Sequence, residues 1–397
     1  MSLNDAYNNA KEEAAASSGL SSIDKLLKAN GLSPEDVGKI SKVSLSTNPD
    51  DTKIILSPKW SEGPAWQPVQ PADPVVINPK IPQTPALISS GWKVAVALPD
   101  PQIGYRRYED GSLDPFHDEA AMDVALQIVG LDHGHTVAQV INLGDFLDLP
   151  MYGTYEQEQN FAHTAQLAIN RGHRFLAEQR ANAGMDARII LLEGNHDKRL
   201  TRFVNNNAAA AYGIKVANMP DSWPVLSLQN LLRCDELGVE FIDGYPAAAH
   251  WINKRLRAMH GDRANASGST AAQYANSNPN ISTLFGHTHR MEQQSKTVFD
   301  RDQSIKSVSF SPGCLCRVDG AVPSVKGGVD VKGQALQYFE NWQQGVSVIF
   351  FKDGDDDSFH FDQVHIHKGK TMYRGQEIYS TVDKFGTPLV APFLPQS

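Results

Sequence analysis

The sequence predicts an α/β domain, and three observations carry that expectation. Between residues 92 and 192, apolar runs alternate with amphipathic stretches, the order of a parallel sheet with crossover helices. Five short polar motifs occur in order, four of them directly after an apolar run. They are Asp100-Pro101-Gln102, Gly144-Asp145-Phe146-Leu147-Asp148, Gly194-Asn195-His196-Asp197, His260-Gly261 and Gly286-His287-Thr288-His289. After residue 295 the chain turns β-rich at 304–310, 347–351 and 359–367, which predicts a second, more antiparallel sheet closing a sandwich.

The elements follow in chain order. Residues 1–45 read as a small helical appendage. Ser22 to Gly31 suits a capped helix, and Ser33-Pro34 restarts one with proline at its first position. The pair has the outline of a helix-turn-helix, but its second helix is poorly basic, which favours a docking or packing role. Residues 46–90 read as an extended linker. Eight prolines, at 58, 64, 68, 71, 74, 79, 82 and 85, preclude helix and central strand, and Trp60 and Trp66 suit anchoring on an apolar surface.

The main domain is expected at 91–370. Trp92–Leu98, Val137–Leu143 and Ala187–Leu192 read as buried strands. A helix is expected over 118–132, with Ala121, Val124, Ala125, Ile128 and Val129 on one face. A long helix over 156–183 would bury Phe161, Ala165, Ala168, Gly172, Phe175 and Leu176. Further on, a capped helix starts at Ser227, and strands are expected at 239–243, 252–259 and 281–285. Asp353-Gly354-Asp355-Asp356-Asp357 lacks the ligand spacing of a calcium loop and suits a solvated hairpin turn. Residues 371–397 read as an irregular tail.

Composition narrows the class. The chain has 397 residues and a net charge of −9, which argues mildly against non-specific coating of nucleic acid without excluding a local basic groove. No apolar run is long enough to span a bilayer, and the first residues lack a secretory pattern. Three cysteines, Cys234, Cys314 and Cys316, are too few for a disulfide framework and fit a reducing cytoplasm. Cys314-Leu315-Cys316 is short and isolated for a zinc knuckle, so these are expected to be core or turn residues.

The motif chemistry points to a two-cation hydrolase. Phosphate-ester hydrolysis needs charge neutralisation, an activated water and a protonated leaving group, and two cations ~3.5–4 Å apart supply the first two. Asp145, at a strand end between two ligand-bearing strands, is a natural bridging carboxylate. Asp100 and Gln102, like His287 and His289, are two residues apart and so point the same way from extended chain. Asn195 offers a neutral carbonyl oxygen suited to a hard divalent cation.

In these motifs the chain resembles the calcineurin-like metallophosphoesterases. Their signature runs D-x-H, G-D-x-x-D, G-N-H-[DE], a lone His, then G-H-x-H, and the match spans roughly residues 92–290. The resemblance implies a four-layer αββα sandwich of two mixed sheets flanked by helices, with the site at the strand ends. It also implies two divalent ions, manganese first, with iron, zinc or magnesium as alternatives. Asp100, Gln102 and His289 would hold the first, Asp145 would bridge, and Asn195, His260 and His287 would hold the second. His196 would act on the leaving group, Asp197 would orient it, and Asp148 would support the bridging loop. Gln102 stands where the family has histidine, which weakens the first position for transition metals.

Substrate class rests on residues beside the ligands. Gln102-Ile103-Gly104-Tyr105-Arg106-Arg107 resembles the opening of the family's double-strand-break repair nucleases, and 311–323 with 341–345 resembles phage-encoded repair-exonuclease-like members. Such nucleases are often homodimers and work with a coiled-coil ATPase, and a phage enzyme would work in the host cytoplasm. Arg106, Lys198, Arg199 and Arg290 are the candidate contacts to a nucleic-acid backbone. His117 is a further candidate contact, and Trp342 is expected in the core rather than as a base-stacking platform. The leading expectation is a DNA exo- or endonuclease. A phosphomonoesterase or small-nucleotide phosphodiesterase is the second, and a binding scaffold disabled by Gln102 the third.

Overall fold

The structure, a computed structural model, describes residues 91–154, 157–218, 223–300, 303–323, 340–354 and 358–389, and the backbone of two strands near the N-terminus. The chain divides into two compact units, Met1–Gln70 and Pro71–Ser397. In the first, β1 (Ile40–Asn48) pairs antiparallel with β2 (Asp51–Pro58), Val43 opposite Leu56 and Leu45 opposite Ile54. The helical expectation therefore fails for 40–45, where Val43-Ser44-Leu45-Ser46 alternates with a period of two. The linker expected from residue 46 likewise contains β2. The helix pair at 22–36, and the proline-rich stretch past Pro58 with Trp60 and Trp66, lie outside the described residues.

The second unit is an α/β sandwich. Its elements are β3 (Trp92–Leu98), β4 (Tyr105–Arg107), β5 (Leu113–Pro115), α1 (Glu119–Val129), β6 (Val137–Asn142), α2 (Ala165–Ala183), β7 (Arg188–Leu192), α3 (Lys198–Asn206), α4 (Ala208–Ala211), α5 (Leu228–Leu231), β8 (Val239–Ile242), β9 (Ala249–Trp251), β10 (Leu256–Met259), α6 (Thr270–Ser277), β11 (Ser282–Phe285), β12 (Met291–Asp300), β13 (Gln303–Pro312), β14 (Gln344–Lys352), β15 (Phe359–Ile366), β16 (Lys370–Tyr373) and β17 (Gln376–Tyr379). One sheet has the order β15-β14-β3-β6-β7-β8 and the other β12-β13-β11-β10-β9. Strands β3, β6, β7 and β8 run parallel and step one way across the first sheet, which puts their crossovers on one face.

Period-two alternation builds the layers. Val94, Val96 and Leu98 face α1 and α2, while Ala95 and Ala97 face the other sheet. Ile189 and Leu191 against Ile190 and Leu192 repeat the pattern. The inter-sheet core is completed by Leu256, Ala258, Leu284 and Phe310, and Ala271 and Tyr274 of α6 pack with Phe285 behind the second sheet. The order is helices, sheet, sheet, helix. Among the described residues, no helix is long and apolar enough to cross a membrane.

Several boundaries differ from expectation. The helix expected over 156–183 starts at Ala165. Phe161 sits before it in a short turn and packs edge-on against Phe116, so an apolar residue at helical spacing serves a different cluster. The strand expected over 252–259 is confined to β10 at 256–259; residues 252–255 are instead the turn that joins it to the antiparallel β9, where the Asn253 side chain accepts from the amides of Arg255 and Leu256. Of the late β-rich segments only β13 joins the second sheet. Strands β14 and β15 extend the first, because β14 pairs antiparallel with β3. The expected irregular tail contains the β16–β17 hairpin. The acidic run at 353–357 is described only at Asp353 and Gly354, and Lys93 Nζ meets Asp353 at 2.6 Å.

Candidate metal centre

Five strand ends deliver the site. Asp100 follows β3, Asp145 follows β6, Asn195 follows β7, His260 follows β10 and His287 follows β11. These are parallel strands of both sheets, so their C-terminal ends open on one crevice. The turns are tight. Asp100, Gln102, Asp145, His287 and His289 all have left-handed backbone, with φ of 39°, 46°, 45°, 68° and 56°. That conformation costs an L-residue roughly 1–2 kcal/mol and persists where surrounding contacts overdetermine it. Here the Gln102 amide donates to Asp145 O at 3.0 Å, the His287 amide to Asp100 Oδ1 at 2.9 Å, and the His196 amide to Asp145 Oδ1 at 2.8 Å. Gly286 admits Asp100, since a Cβ there would lie 2.5 Å from its Oδ2.

Two sets of side chains converge, and they share one carboxylate. Asp145, His260 and His287 form one, and Asp100, Asp145 and His289 the other, with ligand atoms mutually within 4.8 Å in each. Asn195 joins the first set, its Oδ1 3.0 Å from His260 Nε2. Gln102 joins the second, its Nε2 3.1 Å from His289 Nε2 and its Oε1 buried with no hydrogen-bond partner. Exchanging the two ends of the Gln102 amide would present that oxygen to the same point. His289 Nε2 is 3.4 Å from Asp100 Oδ1, and His260 Nε2 is 3.3 Å from Asp145 Oδ1. These spacings match the ligand–ligand edges of about 3 Å that an octahedral cation with ~2.1 Å bonds requires. The residues present thus fit two divalent ions. No ion is needed to see the electrostatic reason: at His260, acceptors face one another.

That convergence is written in the protonation of His260. Its Nδ1 lies 2.8 Å from Leu143 O and donates there, leaving Nε2 aimed at Asn195 Oδ1 and Asp145 Oδ1. Burial opposes a charge on this ring, but Asp145 and Asp100 outweigh it and lift the pKa to about 9. A proton does there what a cation would do. His287 is the reverse: burial, then the neighbouring His260 charge, push it down to about 4. Below about pH 9 a cation must therefore displace the His260 proton, whereas His287 is already neutral. We expect divalent binding at pH 7 to release about one proton, and apparent affinity to rise roughly tenfold per pH unit until it levels off near pH 9. Calorimetric titrations in two buffers of different ionisation enthalpy measure this, and an identical heat in both would contradict it.

Beside this centre stands His196. Its Nδ1 lies 3.1 Å from Asp148 Oδ1, its Nε2 3.8 Å from Asp145 Oδ2, and Arg199 Nη2 is 3.1 Å from the same Nε2. Arg199 also donates to Asp148 Oδ1. The expectation that Asp197 orients His196 is corrected here. Asp197 is turned inward and accepts from the amides of Phe146, Leu147 and Gly194, so it ties the Asp145 loop to the Asn195 loop. Burial and the Asp145 charge raise its pKa to about 7. Asp148 is the carboxylate that holds the imidazole.

Each of the expected substrate cations makes contacts to protein atoms. Arg106 is buried, its guanidinium paired with Glu158 at 2.7 and 2.9 Å and held between Phe116 and Phe161, which removes it from the list of backbone contacts. Lys198 donates to Tyr245 O, and Arg290 to Asn265 O at 2.6 Å. Arg199 alone of the four touches a site side chain, through His196. His117 is fully buried between Gly104 N and Glu119, itself paired with Arg171, so it belongs to the core. Trp342 stands edge-on to His289 with ring centroids 4.2 Å apart and packs beside Phe116, Cys314 and Cys316. The Cys316 and Trp342 contacts with His289 had no signal in the sequence beyond the i, i+2 spacing of Cys314 and Cys316.

The chain matches no protein-family model and no curated protein sequence.

Proposed function

We propose that this chain is a two-metal-dependent phosphoesterase that hydrolyses phosphodiester bonds, with DNA as its substrate. The observation that carries the proposal is the Asp145 carboxylate, common to two ligand sets that each suit a divalent cation. Oxygen and imidazole donors favour manganese, with magnesium, iron or zinc as substitutes. Cations held there would neutralise phosphate charge and activate water. Asp145, Asp100 and the histidines would hold them, and the Asp197 carboxylate keeps the two central loops in register. Asp148 fixes His196 through Nδ1, which leaves Nε2 placed to hand a proton to the departing oxygen. A protonated Nε2 exchanges its Arg199 contact for that oxygen.

The resemblance of Gln102–Arg107 to repair-nuclease openings supports DNA as the polymer. One observation favours a smaller ester instead: Arg106, Lys198 and Arg290 are each engaged by protein atoms, which leaves fewer cations for a phosphate backbone. A panel with manganese separates the two. Cleavage of linear or nicked DNA is expected. Turnover confined to a monoester or a cyclic nucleotide would establish the second reading, and no turnover of any ester would end both. Replacing His196→Ala should lower kcat on DNA about 10²–10³-fold with both metals retained. The loss should shrink to a few-fold on an ester with a nitrophenolate leaving group, which needs no proton. Equal losses on both substrates would remove His196 as the acid.

A further inference from the structure

On the far side of the oxygen–imidazole centre, His289 turns its second nitrogen toward two thiols. Cys316 Sγ lies 3.7 Å from His289 Nδ1, and Cys314 Sγ, Cys316 Sγ and a His289 ring nitrogen are mutually within 4.8 Å. Cys314 and Cys316 are completely buried. Leu315 turns into the helix-side core, while Cys314 and Cys316 pack together in a separate cluster with Phe116. A tetrahedral zinc site with ordinary bond lengths has sulfur–nitrogen edges of about 3.6 Å, close to the contact seen.

We propose that Cys314, Cys316 and His289 Nδ1 form a separate soft-metal site, taking Zn²⁺ or a similarly thiophilic cation, that shares His289 with the hard-metal centre. Two thiols and an imidazole select against manganese and magnesium, which prefer oxygen. Binding exchanges the two thiol protons for the cation, so two thiolates balance its charge inside a buried cluster. The fourth coordination position is left to a non-protein ligand, as in sites with three protein donors. Because Nε2 of the same ring faces Asp100 and Gln102, filling both centres at once also releases the ring proton and leaves His289 as an imidazolate between the two cations. The site goes beyond the hydrolase proposal and does not need it, since its donors are the two thiols and one ring nitrogen.

Cobalt is the probe, because only sulfur ligation gives an intense near-ultraviolet charge-transfer band. The reduced full-length protein, titrated anaerobically with Co²⁺, should develop that band to saturation, while cobalt bound at the oxygen–imidazole centre adds none. The band should persist in Asp145→Asn, which disables the hard-metal centre, and bleach when Zn²⁺ is added. It should vanish in Cys314→Ser/Cys316→Ser, whose cobalt content should fall by one per chain. The third cysteine, Cys234, lies in the separate helix-side core and serves as an internal control. No band in the wild-type protein would overturn the proposal whether or not the double variant folds, as would an undiminished band in that variant. If the soft site fills while manganese-dependent hydrolysis is absent, the hydrolase proposal alone fails.

Discussion

Asp145→Asn is expected to abolish hydrolysis, lowering kcat by at least about a thousandfold, on the order of 4 kcal/mol of barrier. The substitution keeps the shape of the side chain and can keep its contact with the His196 amide at 2.8 Å. It removes the charge that both ligand sets use. It also removes the main reason His260 holds a proton, so the raised pKa of that ring should fall back toward the ordinary histidine range. Elemental analysis should find manganese reduced from two per chain to one or none. A variant that keeps two metals and full activity would show that Asp145 does not bridge.

Gly194→Ala is expected to be nearly as damaging without touching a ligand. A Cβ at this position would stand 2.1 Å from Asp145 N and 2.3 Å from Asp145 Oδ1, inside any real contact distance. The obstacle is backbone and a pinned carboxylate, so the loops of β6 and β7 must separate. Overpacking of this kind costs about 3 kcal/mol or more, and ligands displaced by more than about 0.5 Å no longer fit one cation. Thermal unfolding with and without manganese measures both effects. The wild-type protein should gain melting temperature with manganese, and the variant should melt lower and gain little. An alanine variant with the wild-type manganese shift would mean that the close approach of these loops is not needed.

Local burial is written in this sequence, and long-range pairing is not. Strands β3 and β7 are legible because they are buried on both faces and read as near-continuous apolar runs. The candidate ligands are legible because five of the seven come within three residues of a strand end, and the structure brings all seven side chains together. The sheet to which β14 and β15 belong was not legible: a strand's own pattern shows that one face is buried and not which neighbour it meets. The partners of the charged residues were hidden for a similar reason. Arg106 pairs with Glu158 and Arg199 with Asp148, separations of about fifty residues that no local spacing reveals. The family resemblance implies Asp197 as the residue that orients His196. Its carboxylate is drawn instead to three amides that the turn leaves unpaired.

The most direct test of the shared carboxylate is a crystal grown with manganese and measured at its absorption edge. Two anomalous peaks should lie on either side of the Asp145 carboxylate, about 3.5–4 Å apart. One should be within bonding distance of Asp100 and His289, the other of Asn195, His260 and His287. A single peak, or two peaks that do not both touch Asp145, would contradict a two-metal centre in this protein.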